Sequence, residues 1–216
     1  MSNFTTWRSL VDGEEILAIP DSAVFHPDDN DLDNFQGDTG DFSIDSSPAL
    51  PDLETGKSIN GDGREISSTS GLDSYPEQGQ QFACYLYAES GGPTPAMTWA
   101  VQTAGSEDDM YNMFFREDDE ELEIRKRENG SSTPLAENTD VGVTDGEWYD
   151  LEVDWETDGT ITGRIYDVDQ STGERQSELG SVSATDTTFD SGGAGIRRGS
   201  LSGSYAAQFY RIRQQL

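Results

Sequence analysis

Residues 147 to 168, EWYDLEVDWETDGTITGRIYDV, alternate apolar and polar side chains on both sides of a single Asp-Gly turn. A period of two puts successive side chains on opposite faces of an extended chain, and no helix can bury such a row. Tyr149, Leu151, Val153 and Trp155 therefore share one face. Asp150, Glu152, Asp154 and Glu156 share the other, with carboxylates roughly 7 Å apart along the strand. The pattern predicts a hairpin with one core face and one acidic, solvated face.

Shorter stretches of the same kind recur along the chain. QFACYLYA (81–88), AMTWAVQT (96–103), MYNMFFRE (110–117), ELEIRKRE (121–128), GSVSATDT (180–187), GAGIRRG (193–199) and YAAQFYRIR (205–213) read as strands. KSIN and REISS read as short strands within a polar loop spanning 46–80. EDDE, ENGSS, ETDGT and DQSTGE supply hairpin turns. About a dozen short strands with no sustained helical period predict an all-β fold, a two-sheet antiparallel β-sandwich. Its expected extent is residues 23–216. Residues 1–22 differ, crowding Phe4, Trp7, Leu10, Val11, Ile16, Leu17 and Ile19 into a segment too small to fold alone and too apolar to hang free. They predict either a strand or short helix packed on the domain itself or, in the functional reading, an N-terminal arm that docks on a partner.

The 216 residues carry 13 Lys plus Arg against 43 Asp plus Glu, a net charge of −30. Such a surface repels phosphate backbones and argues against nucleic-acid binding. At molar salt the screening length falls to roughly 3 Å and most self-repulsion disappears. With only Lys57 and Lys126 as lysines, the composition predicts a protein that works in concentrated salt. Cys84 stands alone, which excludes an internal disulfide and a cysteine zinc site. It reads as a small buried apolar residue. His26 is the one histidine, so neither a Ser-His-Asp triad nor a multi-histidine metal site is expected. No basic stretch followed by an apolar core opens the chain, and no run approaches the ~20 apolar residues of a membrane span. Neither a signal peptide nor membrane insertion is expected.

Trp148, Tyr149, Leu151, Val153, Asp158, Gly159, Ile161 and Ile165 resemble the strand-turn-strand signature of the concanavalin A-like, or laminin G-like, jelly-roll superfamily. GDTGDFSI near 37–44 is similar to its first strand, and GGAGIRRGSLSGSYAAQFYRIR to its closing pair. The likeness spans about residues 25–213 and implies a jelly-roll β-sandwich. Phe209, Tyr210, Arg211 and Ile212 stand where that family carries an F-D-D-V pattern. The aspartates that often help to hold a structural calcium are missing there. Glu152, Asp154 and Glu156 reproduce the E-x-D-x-E spacing of β-sandwich glycosidases that act by retention. Within this resemblance they match no catalytic position, so no catalytic residue is expected. TTWRSLVDGEEILAIPDS resembles the opening segment of structural proteins from tailed viruses of halophilic archaea, which implies an attachment arm before a variable β domain.

Further candidates follow from residue chemistry. Asp28, Asp29, Asp31 and Asp33 have oxygen ligands suited to a structural Ca²⁺ or Mg²⁺; Asp167, Asp169 and Glu174 form a similar set. The simpler reading of both is a solvated acidic turn. Trp99, Tyr85, Tyr87, Tyr111 and Phe115 lie on strands that could line a concave sheet and stack on sugar rings, and core packing explains most of them equally well. Arg125, Lys126 and Arg127, with Arg197 and Arg198, are expected to pair with acids of the same subunit. The expected function is that of a non-enzymatic virion structural or adhesion protein, made in the host cytoplasm. Its expected partners are its own copies, other virion proteins and host surface glycans. The alternative is a lectin-like carbohydrate-binding module or a β-glucan-active glycosidase.

Overall fold

The computed structural model describes Leu10–Val11, Glu14–Glu15, Ser22–Phe25 and residues 32–50, 57–72, 74–89, 94–199 and 203–214. Its strands, in chain order, begin with β1 (Leu10–Val11), β2 (Glu14–Glu15), β3 (Ser22–Phe25), β4 (Gln36–Gly37) and β5 (Phe42–Asp45). There follow β6 (Ser58–Gly61), β7 (Glu65–Ser68), β8 (Gln80–Ala88), β9 (Pro95–Val101), β10 (Met110–Arg116) and β11 (Glu121–Glu128). The chain closes with β12 (Ser131–Asn138), β13 (Trp148–Trp155), β14 (Thr160–Val168), β15 (Arg175–Thr185), β16 (Gly193–Arg198) and β17 (Tyr205–Gln214).

Two antiparallel sheets face each other. One has the order β12-β11-β10-β9-β16-β7-β4. The other has the order β15-β14-β13-β8-β17-β6-β5, with β3 also paired to β17. The chain runs consecutively through β9 to β12 in the first sheet and β13 to β15 in the second, so these strands pair with their hairpin neighbours. β16 and β17 then enter the middle of the two sheets. Among the described residues β1 and β2 pair with each other alone. The expected all-β sandwich is therefore the observed fold.

The alternating hairpin behaves as its pattern dictates. Trp155 pairs with Ile161 and Tyr149 with Asp167, around a turn in which Gly159 has a φ of 86°. Tyr149, Leu151, Val153 and Trp155 are buried between the sheets with Met97, Trp99, Tyr111, Met113, Phe115 and Ile124. Rings lock this layer: Tyr111 meets Trp155 edge-on at 5.8 Å, and Phe115 meets Tyr149 at 5.1 Å. Edge-to-face contacts of this kind add about 1 kcal/mol each to the burial itself. Cys84 is buried, and its Sγ donates to Tyr85 O at 3.5 Å.

One strand escapes the hydrophobic pattern. β12, SSTPLAEN, is largely exposed, has no apolar alternation and contains Pro134. Its signal lies in the turn before it, where Asn129 and Gly130 have φ values of 50° and 77°. That pair of left-handed residues is what a two-residue hairpin requires. Pro134 is tolerated because β12 is an edge strand.

Candidate functional site

The acidic row of β13 points away from the core, as alternation requires, but it is not the solvated face expected. Asp150 is fully enclosed and Glu152 is 4% exposed. The outer face of this sheet is roofed by Leu50, which packs with Tyr85, Trp148, Val168 and Ala206. The turn after β14 also crosses it, and Tyr85 Oη donates to Gly173 O at 3.1 Å. Buried carboxylates need partners, and arginines supply them. Arg175 donates to Asp150 Oδ2 from Nε at 2.8 Å and to Glu152 Oε2 from Nη1 at 2.7 Å. Its guanidinium lies 4.0 Å from the centre of the Tyr166 ring. Arg164 pairs with Asp154, which also accepts from Gln81 Nε2 at 2.8 Å. Asp150, Glu152 and Asp154 are thus each held by a guanidinium, and Glu156 is exposed beyond the strand end.

The other sequence candidates are scattered. Trp99, Tyr111 and Phe115 are fully enclosed between the sheets, and Tyr85 lies under the roof just described. Tyr87 is half-buried on the outer face, beside Trp148 at 5.4 Å. It lines a polar hollow of about 280 Å³ with Asn60 and Glu89. Of the aspartate set, Asp28, Asp29 and Asp31 lie outside the described residues, and Asp33 is exposed. Asp169 turns back on its own loop, accepting from Ser171 N at 2.8 Å and Thr172 N at 3.1 Å. Among the described residues no group of three or more His, Cys, Asp or Glu could hold a metal ion. Of the arm, Leu10 and Val11 form β1, whereas Phe4, Trp7, Ile16, Leu17 and Ile19 lie outside the described residues, as does His26. The basic knots pair within the chain: Arg125 with Glu123, Lys126 with Asp186, and Arg127 and Arg197 with Glu107.

A site that the sequence reading did not single out lies on the outer face of the seven-stranded sheet. Met97, Trp99, Met113, Ile124, Ile66 and Ile196 face the core, so their neighbours face outward. Register sets Ser67, Gly195, Thr98, Asn112 and Arg125 side by side across β7, β16, β9, β10 and β11. The next row holds Glu65, Arg197, Ala96, Phe114 and Glu123. This face is polar yet dry: Asn112 is fully enclosed, Glu123 is 1% exposed, Glu65 3% and Arg197 4%.

Part of the cover is the loop between β9 and β10. Gly105 N donates to Ser67 Oγ at 2.9 Å. Gly105 itself has a φ of 71°, and a Cβ there would stand 2.6 Å from Gly37 N, so only glycine seats the loop this closely. Farther along, the Glu107 carboxylate receives Arg197 Nη2 at 2.7 Å and Arg64 Nε, with Arg127 Nη2 at 3.9 Å. Arg127 Nε also donates to the Glu107 carbonyl. β9 and β10, which carry Thr98 and Asn112, lie between the strands of Arg197 and Arg127. Across the face, Arg125 donates from Nε to Glu123 Oε1 at 2.6 Å and stacks 5.1 Å from the Phe114 ring.

Beneath this cover hydrogen-bonding capacity is left over. Among the described residues both amide atoms of Asn112 are without a hydrogen-bond partner, and so are Glu65 Oε2 and Arg197 Nε. Leaving a buried amide unsatisfied costs about 1–3 kcal/mol, so such groups mark strain or a missing ligand. Burial, with the nearby negative charge of Glu107, raises the Glu65 carboxyl to about 7 against the help of Ser67 and Arg197. Glu65 is therefore a proton donor as well as an acceptor near neutrality.

No protein-family model matches the chain, and neither does any curated protein sequence. Solved structures do resemble it in fold. A carbohydrate-binding module from Bacillus subtilis aligns with 80% of this chain and 94% of its own, at TM-score 0.52 and 14% identity. A Bacillus subtilis protein of unknown function with a galectin-like fold aligns with 89% and 96%, at TM-score 0.54 and 10% identity. The exoplasmic/lumenal domain of VIP36, in a Ca²⁺/Man3GlcNAc-bound form, aligns with 84% and 83%, at TM-score 0.51 and 17% identity. At these identities the likeness establishes a galectin-like, concanavalin A-like jelly-roll sandwich, and function must be argued from the site.

Proposed function

We propose that the chain is a non-enzymatic, lectin-like carbohydrate-binding module, and that its glycan binds on the outer face of the seven-stranded sheet. The observation that carries this reading is Asn112, enclosed with neither amide atom bonded. A sugar hydroxyl is both donor and acceptor, which is what an unpaired carbonyl and an unpaired NH₂ together require. Glu65, Arg125 and Glu123 extend the polar set, and Phe114 gives the face one flat apolar ring. The names of two fold neighbours, a carbohydrate-binding module and a Man3GlcNAc-bound domain, lend support.

Catalysis is the weaker reading. Hydrolysis needs one protonated and one free carboxyl flanking the bond. Glu65 is protonated in part near neutrality, but its neighbour Glu107 is tied to Arg64 and Arg197, and Asp150, Glu152 and Asp154 are tied to Arg164 and Arg175. A glycan array in molar salt tests the reading. Wild type and Glu152→Gln should bind the same glycans, and Arg125→Ala should lose them. Binding lost in Glu152→Gln and kept in Arg125→Ala would move the site to the other sheet.

The assembly reading, a virion protein of a haloarchaeal tailed virus anchored by residues 1–22, rests on the resemblance of that leader alone. It is compatible with sugar binding, the sandwich serving as the adhesive part. Deleting residues 1–22 should abolish incorporation and spare glycan binding; normal copy number in the particle would refute the anchor.

A further inference from the structure

The cover on the seven-stranded sheet says what kind of glycan the face takes, provided that it takes one. Glu107 comes from a loop, yet its carboxylate meets side chains of two framework strands and of the residue before β7: Arg197, Arg127 and Arg64. Arg197 is 4% exposed. Lifting the loop without replacing its charge would take away the carboxylate hydrogen-bonded to that guanidinium and leave it only the neighbouring Glu65, a weak partner because it takes up a proton near neutrality; losing the bonded partner of a buried charge is costly. A neutral sugar cannot compensate. A ligand carboxylate can, because it restores the planar, two-oxygen partner that arginine forks favour.

The atoms left unsatisfied nearby ask for hydroxyls: the Asn112 amide needs a donor and an acceptor, and Glu65 Oε2 needs one partner. A carboxylate and ring hydroxyls on one small unit describe a uronate. The distribution of cations agrees. In a chain of net charge −30, the outer rows of this sheet and its loop gather Arg64, Arg116, Arg125, Arg127 and Arg197.

We propose that Glu107 is an internal stand-in for a ligand carboxylate, and that the β9–β10 loop yields to an acidic glycan built from uronate residues. The loop is held by two separable tethers, the Glu107 cluster and the Gly105–Ser67 hydrogen bond. Loosening either favours the open face. At molar salt long-range attraction is screened, so selectivity comes from contact geometry and survives in brine.

Titration calorimetry on the full chain in molar KCl, with tetragalacturonate and its methyl ester, tests this. The acid form should bind, and the ester should bind about tenfold more weakly, as expected when one charge-assisted contact is lost. Glu107→Gln should tighten binding of the acid form about threefold or more, and Ser67→Ala should act in the same direction. Melting curves show that each variant is folded; if Glu107→Gln is not, Ser67→Ala carries the test. Equal affinity for acid and ester, preference for a sulfated analogue, or unchanged or weaker binding in a folded loosened variant overturns the proposal. Binding of neutral glycans alone would do so while leaving the sugar-binding reading intact. A chain that binds no glycan on the array refutes both.

Discussion

Replacing Asn112 by leucine separates a ligand-binding amide from a structural one, because the two roles predict different effects on stability. Asn112 is fully enclosed, and both its Oδ1 and its Nδ2 are without partners. In the free protein the folded state therefore bears the desolvation cost of an unmet amide, about 1–3 kcal/mol. Leucine has the same branching at Cγ and the same number of side-chain heavy atoms, and it removes that cost. Its two methyls are bulkier than the amide oxygen and nitrogen, and overpacking of this kind takes back about 1 kcal/mol or more. The expected net effect lies between no change and a gain of about 1 kcal/mol, at most about 2–4 °C in Tm for a domain of this size. The same variant should bind no glycan, since it offers ligand hydroxyls nothing. Thermal melts in molar KCl and the glycan array measure the two halves independently. A loss of stability of about 1 kcal/mol or more with glycan binding retained would show that the amide is a structural partner and refute the reasoning.

Three further outcomes follow from the geometry. Arg175→Met strips the shared partner from Asp150 and Glu152, two buried carboxylates, and should cost about 3–5 kcal/mol by denaturant melts, with glycan binding in the folded fraction unchanged. Glu65 has a folded pKa of about 7 against 4.5 unfolded, raised first by burial, so its stabilisation is complete below about pH 4.5 and is lost as pH rises through 7. Tm should fall across that window by the equivalent of about 3 kcal/mol for this group, and Glu65→Gln should flatten the slope; a Tm that rises from pH 5 to 7 in the wild type alone would contradict the assignment. With a net charge of −30, the protein should also melt at progressively higher temperature from about 0.1 to about 2 M KCl, and a flat salt profile would show that self-repulsion is unimportant.

The sandwich was legible because its core strands alternate strictly, as in Tyr149, Leu151, Val153 and Trp155, and because turn residues punctuate them. What alternation cannot tell is what lies over an outward face. Asp150 and Glu152 read as wet because their partner, Arg175, lies at the start of β15, just past the turn after β14, and reaches them only when β15 folds back along β14. The aromatic candidates are scattered for a related reason: Trp99 and Tyr111 have the right ring chemistry and face the core, but Tyr85 and Tyr87 alternate onto the opposite side of a different sheet. The Asn112 site depends on four strand pairings and a loop, none of them local. One letter could have flagged it: in MYNMFFRE, Asn112 is the single polar residue inside an otherwise apolar run, where a buried amide without a reason is rare. β12 was lost because an exposed edge strand carries no hydrophobic period at all.

The location of the bound glycan is the most direct test of the account. Backbone amide shifts of isotope-labelled full-length protein, recorded in molar salt with and without a glycan selected on the array, report it residue by residue. The account predicts perturbations centred on Thr98, Asn112 and Arg125, spreading into the loop at Gly105 and Glu107. Perturbations centred on Tyr87, Asp150 and Glu152, with β9 to β11 unmoved, would contradict it.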